Sequence, residues 1–277
     1  GERASLGRSR LYISPSIDSR IGTEYGTFDS TWGLNFTLQT PLWKGAQTDI
    51  AYVQDLGHSS DYSKGQIFQD FRIDSLLYRV MLHQAFELTP SLTGRVAVGR
   101  IAKVLEGAHG ELRWSPGDGT HRFSIEAAEF ARRDMDFKKT FTLGTYRYWA
   151  DLIQTDFEVK AGQFWHGDKG TLLISRHWFG DTSVALFFRR SQFPEGVSKT
   201  FSPFGSVPVK SAGLEFSFPL TPQKDYRGQW LQLRGTDRFA YGIQTVVGQT
   251  SNYNTPYFGR FSPVPLGLDG TVLDRKS

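Results

Sequence analysis

Apolar and polar residues alternate with period two in segment after segment of this chain, and helical periodicity is almost absent. Such alternation marks a strand with two different faces. In 31–39, Trp32, Leu34, Phe36 and Leu38 alternate with Gly33, Asn35, Thr37 and Gln39. In 74–88, the apolar set is Leu76, Tyr78, Val80, Leu82, Phe86 and Leu88, with Gln84 as an exception, and Arg79, His83 and Glu87 lie on the other face. The pattern repeats in 122–128 (Phe123, Ile125, Ala127), 157–161 (Phe157, Val159, Ala161) and 183–189 (Val184, Leu186, Phe188). It continues in 212–218 (Ala212, Leu214, Phe216, Phe218) and 239–247 (Phe239, Tyr241, Ile243, Val247). Fainter examples are 10–17, 48–54, 92–101, 108–114, 140–152, 171–179 and 229–234. Together they predict roughly 14 strands, several of about 9–11 residues, a length that suits a tilted membrane crossing.

The connections add a second signal. Tight turns are expected at Lys44-Gly45, Thr89-Pro90-Ser91, Gly117-Asp118-Gly119 and Gly180-Asp181, because glycine takes positive φ without steric cost. Longer polar loops are expected at 57–65, 132–139 and 191–208. Short turns alternating with long loops are the rhythm of an outer-membrane barrel, whose turns lie on the periplasmic side. The rhythm blurs at 221–228 and 235–237. Residues 249–277 do not alternate and contain three prolines, so they read as a tail, plug or linker. The expected organisation is a transmembrane β-barrel over 1–248, antiparallel and up-and-down, followed by the tail 249–277.

A soluble antiparallel sheet also alternates. Two features favour the membrane. Successive polar faces are densely charged (Arg79, Arg95, Arg113, Arg122, Glu126, Glu158, Lys160, Glu215), which suits a wet lumen. No domain break interrupts the strands, and strongly twisted open sheets rarely exceed about ten strands. Closure removes edges that in lipid would cost several kcal/mol per unpaired group. Composition agrees: only 39% of the 277 residues are hydrophobic, yet there are 22 Phe, 11 Tyr and 7 Trp. Amphipathic rings sit well at headgroup level. A carbohydrate-binding β-sandwich also carries many exposed rings.

No run of about 18 apolar residues exists, so no transmembrane helix is expected. The first residues show no signal-peptide pattern, so the sequence is expected to be mature or trimmed. The chain has no Cys, which excludes disulfides and thiolate chemistry and fits an oxidising envelope compartment. With 32 basic and 28 acidic residues interspersed, nothing points to nucleic acid.

The segment 161–170 (AGQFWHGDKG) followed by Leu172–Arg176 (LLISR), and 213–222 (GLEFSFPLTP) followed by 233–239 (LRGTDRF), resemble stretches of YjbH-like, GfcD-like proteins. The similarity is strongest over 157–247. Those proteins are outer-membrane lipoproteins associated with exopolysaccharide and group 4 capsule biosynthesis. The resemblance therefore implies a role in polysaccharide export or surface assembly. Members of that family are longer and begin with a lipidated cysteine. This chain has none, so lipid anchoring is not carried over, and the expectation is the barrel portion of a longer protein or a divergent member.

Polar-face arginines (Arg79, Arg95, Arg113, Arg122, Arg189, Arg234) are candidates for a cationic lumen that attracts acidic polysaccharide. The competing reading is a salt-bridged wall with Glu126, Glu158 and Glu215. Tyr12, Trp230 and Phe187 are candidates for a sugar-stacking track, against packing or girdle roles. Six histidines (His58, His83, His109, His121, His166, His177) show no His-x-x-x-His spacing, and no Gly-x-Ser-x-Gly is present. No enzyme, metal or cofactor is expected, though some outer-membrane barrels are lipid hydrolases with Ser/His pairs. Asp134 and Asp136 are a candidate calcium pair, against simple solvation. The expected partners are outer-membrane lipid, a polysaccharide and periplasmic or outer-membrane export proteins. The alternatives are a general diffusion porin and a soluble β-rich carbohydrate-binding protein.

Overall fold

The structure, a computed structural model, describes residues 8–22, 25–194, 208–220, 226–227, 230–236 and 238–247. The expected tail 249–277 and most of the loop 191–208 lie outside the described residues. The fold is all-β. Its strands are β1 (Ser9–Ile21), β2 (Phe28–Trp43), β3 (Ala46–His58), β4 (Leu76–Thr89), β5 (Leu92–Ile101), β6 (Leu105–Trp114), β7 (His121–Arg132) and β8 (Phe137–Ala150). There follow β9 (Thr155–Gln163), β10 (Lys169–Phe179), β11 (Thr182–Gln192), β12 (Val209–Phe218), β13 (Tyr226–Arg227), β14 (Leu231–Gly235) and β15 (Phe239–Val246). Every alternating segment falls on one of these strands over most of its length, with 74–75, 151–152, 230 and 247 beyond the strand ends and 229 outside the described residues. The two-residue β13 is an addition that alternation does not reveal.

Hydrogen bonding follows chain order from β1 to β12, with β14 beside β1 and β15 beside β12. Among the described residues, the paired strands whose register is known are antiparallel except β1 and β14, which are parallel (Ser9 opposite Leu231, Ile13 opposite Gly235). The sheet is otherwise antiparallel as expected, and the reason for the exception is parity. Consecutive strands reverse direction, so β12 runs opposite to β1. Val247 N–H donates to the Lys210 carbonyl while Gly213 lies against Ile243, so β15 runs antiparallel to β12. The run of chain that carries β14 must then run the same way as β1.

The chain divides into two compact units. One holds 1–82, 100–103 and 219–239, and the other holds 83–99, 104–218 and 240–277. In the first, β2 and β3 meet at the two-residue turn Lys44-Gly45, where Gly45 has φ 81°. The connection from β3 to β4 is longer than the sequence suggests. It runs over 59–75 and forms two short 3-10 turns. In the second unit, β10 and β11 meet at Gly180-Asp181, with Gly180 at φ 63°. The expected loop 132–139 shrinks to 133–136. The β7–β8 ladder runs on to Arg132 opposite Phe137, and Lys138 Nζ lies 2.6 Å from the Glu129 carboxylate. The β6–β7 connection is correspondingly longer than a tight turn, at 115–120.

Within each unit the two faces of the strands have opposite chemistry. The exposed face carries the large apolar side chains: Trp32, Leu82, Val96, Val98, Leu112, Ile125 (55% exposed), Leu173, Leu186 (62%) and Phe216. The buried face carries Arg79, Arg95, Arg113, Arg176, Arg189, Asp49, Asp156, Asp168 and Glu215 beside small and aromatic residues. Water-soluble proteins do the reverse, since fully buried Arg, Asp and Glu are rare unless paired and large apolar surface is normally removed from water.

Candidate functional site

The candidate site is the ladder of charges on the buried face. Alternation puts its members there, and register decides which of them meet. In the second unit Arg95 of β5 is 0% exposed. Its Nη1 lies 3.2 Å from His83 Nδ1 and its Nη2 lies 3.1 Å from His109 Nδ1. Guanidinium only donates, so both imidazoles accept through Nδ1. His109 then carries its proton on Nε2, 3.3 Å from the Glu126 carboxylate. Glu111 closes the group, 3.4 Å from Arg95 and 3.5 Å from Arg113. Five strands, β4 to β8, hold this cluster, because Phe141 of β8 packs 5.7 Å from the His109 ring.

Two further clusters stand in the same unit. Arg176 of β10 lies 3.6 Å from Asp156 and 4.0 Å from Glu215. The Trp178 indole N–H donates to Asp156 at 2.7 Å. Arg189 of β11 pairs with Asp168 and rests 3.8 Å above the Phe164 ring. In the first unit Arg79 pairs with Asp49 through Nε and also through Nη2 at 3.1 Å. In the 59–75 connection, the Tyr62 hydroxyl donates to Asp18 at 2.6 Å. Burial and that carboxylate push the Tyr62 phenol well above its ordinary value.

Of the arginines singled out in the sequence, Arg79, Arg95 and Arg189 are therefore each engaged by a carboxylate on a neighbouring segment, and Arg113 by Glu111 on its own strand. That is the salt-bridged wall. Its acids include Asp49, Glu111, Asp156 and Asp168, which alternation alone does not single out. Arg122 is half-buried on β7 directly opposite Arg147. Arg234 is half-buried on β14 opposite Tyr12. Phe187 is buried, whereas Trp230 is 73% exposed and precedes β14 rather than lying on a strand. Asp134 takes two bonds from Arg132, at 2.6 and 2.7 Å, which hold its carboxyl below the usual range. It thus closes on an arginine rather than presenting a pair with Asp136.

The exposed face has a site of its own. Trp114, Phe123 and Tyr146 stack in succession, with ring centroids 5.4 and 4.9 Å apart. His121 adds a bond to the Tyr146 hydroxyl at 2.9 Å and a ring contact with Tyr148 at 5.4 Å. These rings sit beside the 115–120 connection. Trp43 and Phe179, both exposed, flank the tight turns at the same ends of their strands.

A comparison with curated proteins finds no match to the chain. The model of the YjbH family, described as exopolysaccharide biosynthesis protein, matches residues 5–220. The match reaches much further toward the start than the resemblance over 157–247, and it stops short of the 233–239 stretch. With most of its length aligned in this way, the chain belongs to the YjbH family of exopolysaccharide biosynthesis proteins.

Proposed function

We propose that this chain is an outer-membrane β-barrel that serves secretion or surface assembly of an exopolysaccharide, without itself catalysing a reaction. The observation that carries the reading is the inverted distribution of chemistry on the strands. Side chains such as Ile125, Leu186 and Phe216 are exposed, while Arg95 and Asp168 are buried. An apolar outer band with a polar interior is the arrangement of a transmembrane barrel. Rings clustered at the turn ends fit an interfacial girdle.

A general diffusion porin needs an open aqueous path. The buried face is instead occupied by paired charges and rings, Arg95 and Phe130 being fully covered. The reading therefore favours a barrel whose wall or rim engages glycan or export partners. Deletion of the gene should lower cell-surface polysaccharide, measured by quantitative sugar analysis, and the intact gene should restore it. Unchanged surface polysaccharide in the deletion strain would refute the role.

A further inference from the structure

In the second unit, the exposed face of β6–β12 carries charge in two places, and they differ. Near β6–β8, exposed basic groups have acids beside them: Arg133 lies 2.6 Å from Glu106, and Lys138 lies 2.6 Å from Glu129. On β10–β12 the exposed positions Lys169, Arg190 and Lys210 have no ion pair among the described residues. No acidic residue occupies an exposed-face position of β9, β10, β11 or β12.

Register sharpens the contrast. Thr171 stands opposite Arg190, and Arg190 stands directly opposite Lys210, while Lys169 stands opposite Gln192 one step further along. Like charges directly opposite on neighbouring antiparallel strands are destabilising, unless an anion lies between them.

The row also stands at a definite height. Along the exposed face of β12, Phe218, Phe216, Leu214 and Ala212 precede Lys210. On β11, Val184, Leu186 and Phe188 precede Arg190. Both strands turn from apolar to basic at the same register. From Phe218 to Lys210 is about 27 Å of strand, or about 20 Å of height at a tilt of about 40°, close to the ~25 Å apolar band of such barrels. The row lies at the end of the strands that leads into the 193–208 connection, the longer-loop end. In barrels of this kind that end faces the outside of the cell.

We infer that Arg190 and Lys210, with Lys169 and Thr171 beside them, form a phosphate-binding site for an anionic glycolipid headgroup of the outer leaflet, of the lipid A type. This rests on the membrane reading above. A forked guanidinium beside an ammonium suits a phosphate monoester, the first by paired N–H donors and the second as a point charge. Acyl chains of the same lipid would lie along Phe188, Leu186 and Leu214, directly below. A soluble acidic glycan has no such apolar continuation to use.

The test uses the full chain refolded in phosphatidylcholine nanodiscs, titrated with purified bis-phosphorylated lipid A. The expected result is at least ten-fold weaker binding by the R190Q/K210Q double variant. Lys138→Gln, next to an existing acid, should bind as the parent does. Dephosphorylated lipid A should bind the parent no better than lipid A binds the double variant. Equal binding by parent and double variant overturns the site. So does retention of an acidic polysaccharide by this row with lipid A ignored. Heat-shifted gel migration of both proteins separates the failures. If neither inserts, the membrane reading falls and this site with it; if both insert and bind alike, only the site falls.

Discussion

At the scale of single residues, the buried charges are held by partners rather than by water, so removing one partner is costly. Arg95→Met would take one arginine from Glu111 and remove the guanidinium that donates to His83 and His109. Breaking a buried ion pair from one side costs about 3–5 kcal/mol, whereas replacing both members by packed apolar residues is often neutral. Urea unfolding of the refolded protein should therefore show a large loss for Arg95→Met and little for the R79M/D49L double variant. Tyr62 gives a pH signature. Its phenol is held above the unfolded value of about 10, so its contribution is complete below about pH 10 and is lost as pH rises beyond that. Protease resistance of the 59–75 connection should fall at strongly alkaline pH in the parent, and Tyr62→Phe should abolish that dependence. The identity of these partners was not legible in the sequence. Asp49 and Arg79 are thirty residues apart, and only strand register brings them together. The Gln84 exception has a local answer: its amide donates to the Ala85 carbonyl at 2.8 Å, so a polar side chain sits on the apolar face without an orphaned donor.

Period two fixes which face a side chain takes, so most of the architecture at the level of elements was legible. Val96, Ile125, Leu186 and Phe216 all stand where alternation puts them. Ends and lengths were less so, because they depend on cross-strand pairs such as Lys138 with Glu129 and on the packing of Tyr62 under its loop. Some glycines are also explained only by the ladder. A Cβ on Gly107 would come 1.9 Å from the Glu129 carbonyl, so β6 needs glycine there to approach β7. The exposed face yields a discriminating prediction. In water, Leu186→Arg would change stability by no more than about 0.5 kcal/mol, since surface substitutions are usually that mild. In a bilayer a mid-band arginine costs about 2–4 kcal/mol, falling toward zero near the interface. Unfolding in lipid vesicles should show the larger loss for Leu186→Arg and almost none for Thr182→Arg at the strand end.

For the whole molecule, the family match and the strand chemistry answer different questions. The match concerns exopolysaccharide biosynthesis. The strand chemistry concerns the solvent on each face and contains no information about sugars. The identity of the glycan was not legible because the charges that alternation places on the polar face turn out to be paired with one another. If the paired charges of the buried face stay in place in the membrane, planar-bilayer recordings should show no large, steady conductance, in contrast to a diffusion porin. The central claim, that the apolar face meets hydrocarbon, has a direct test because the chain contains no cysteine and labels carry no background. Single cysteines at Ile125, Leu186 and Phe216, and at buried Ala97 and Ala185, are labelled with an environment-sensitive fluorophore in vesicles containing lipids brominated on the acyl chains. Strong quenching at the first three positions and little at the last two is the predicted result; equal, weak quenching at all five would contradict the account.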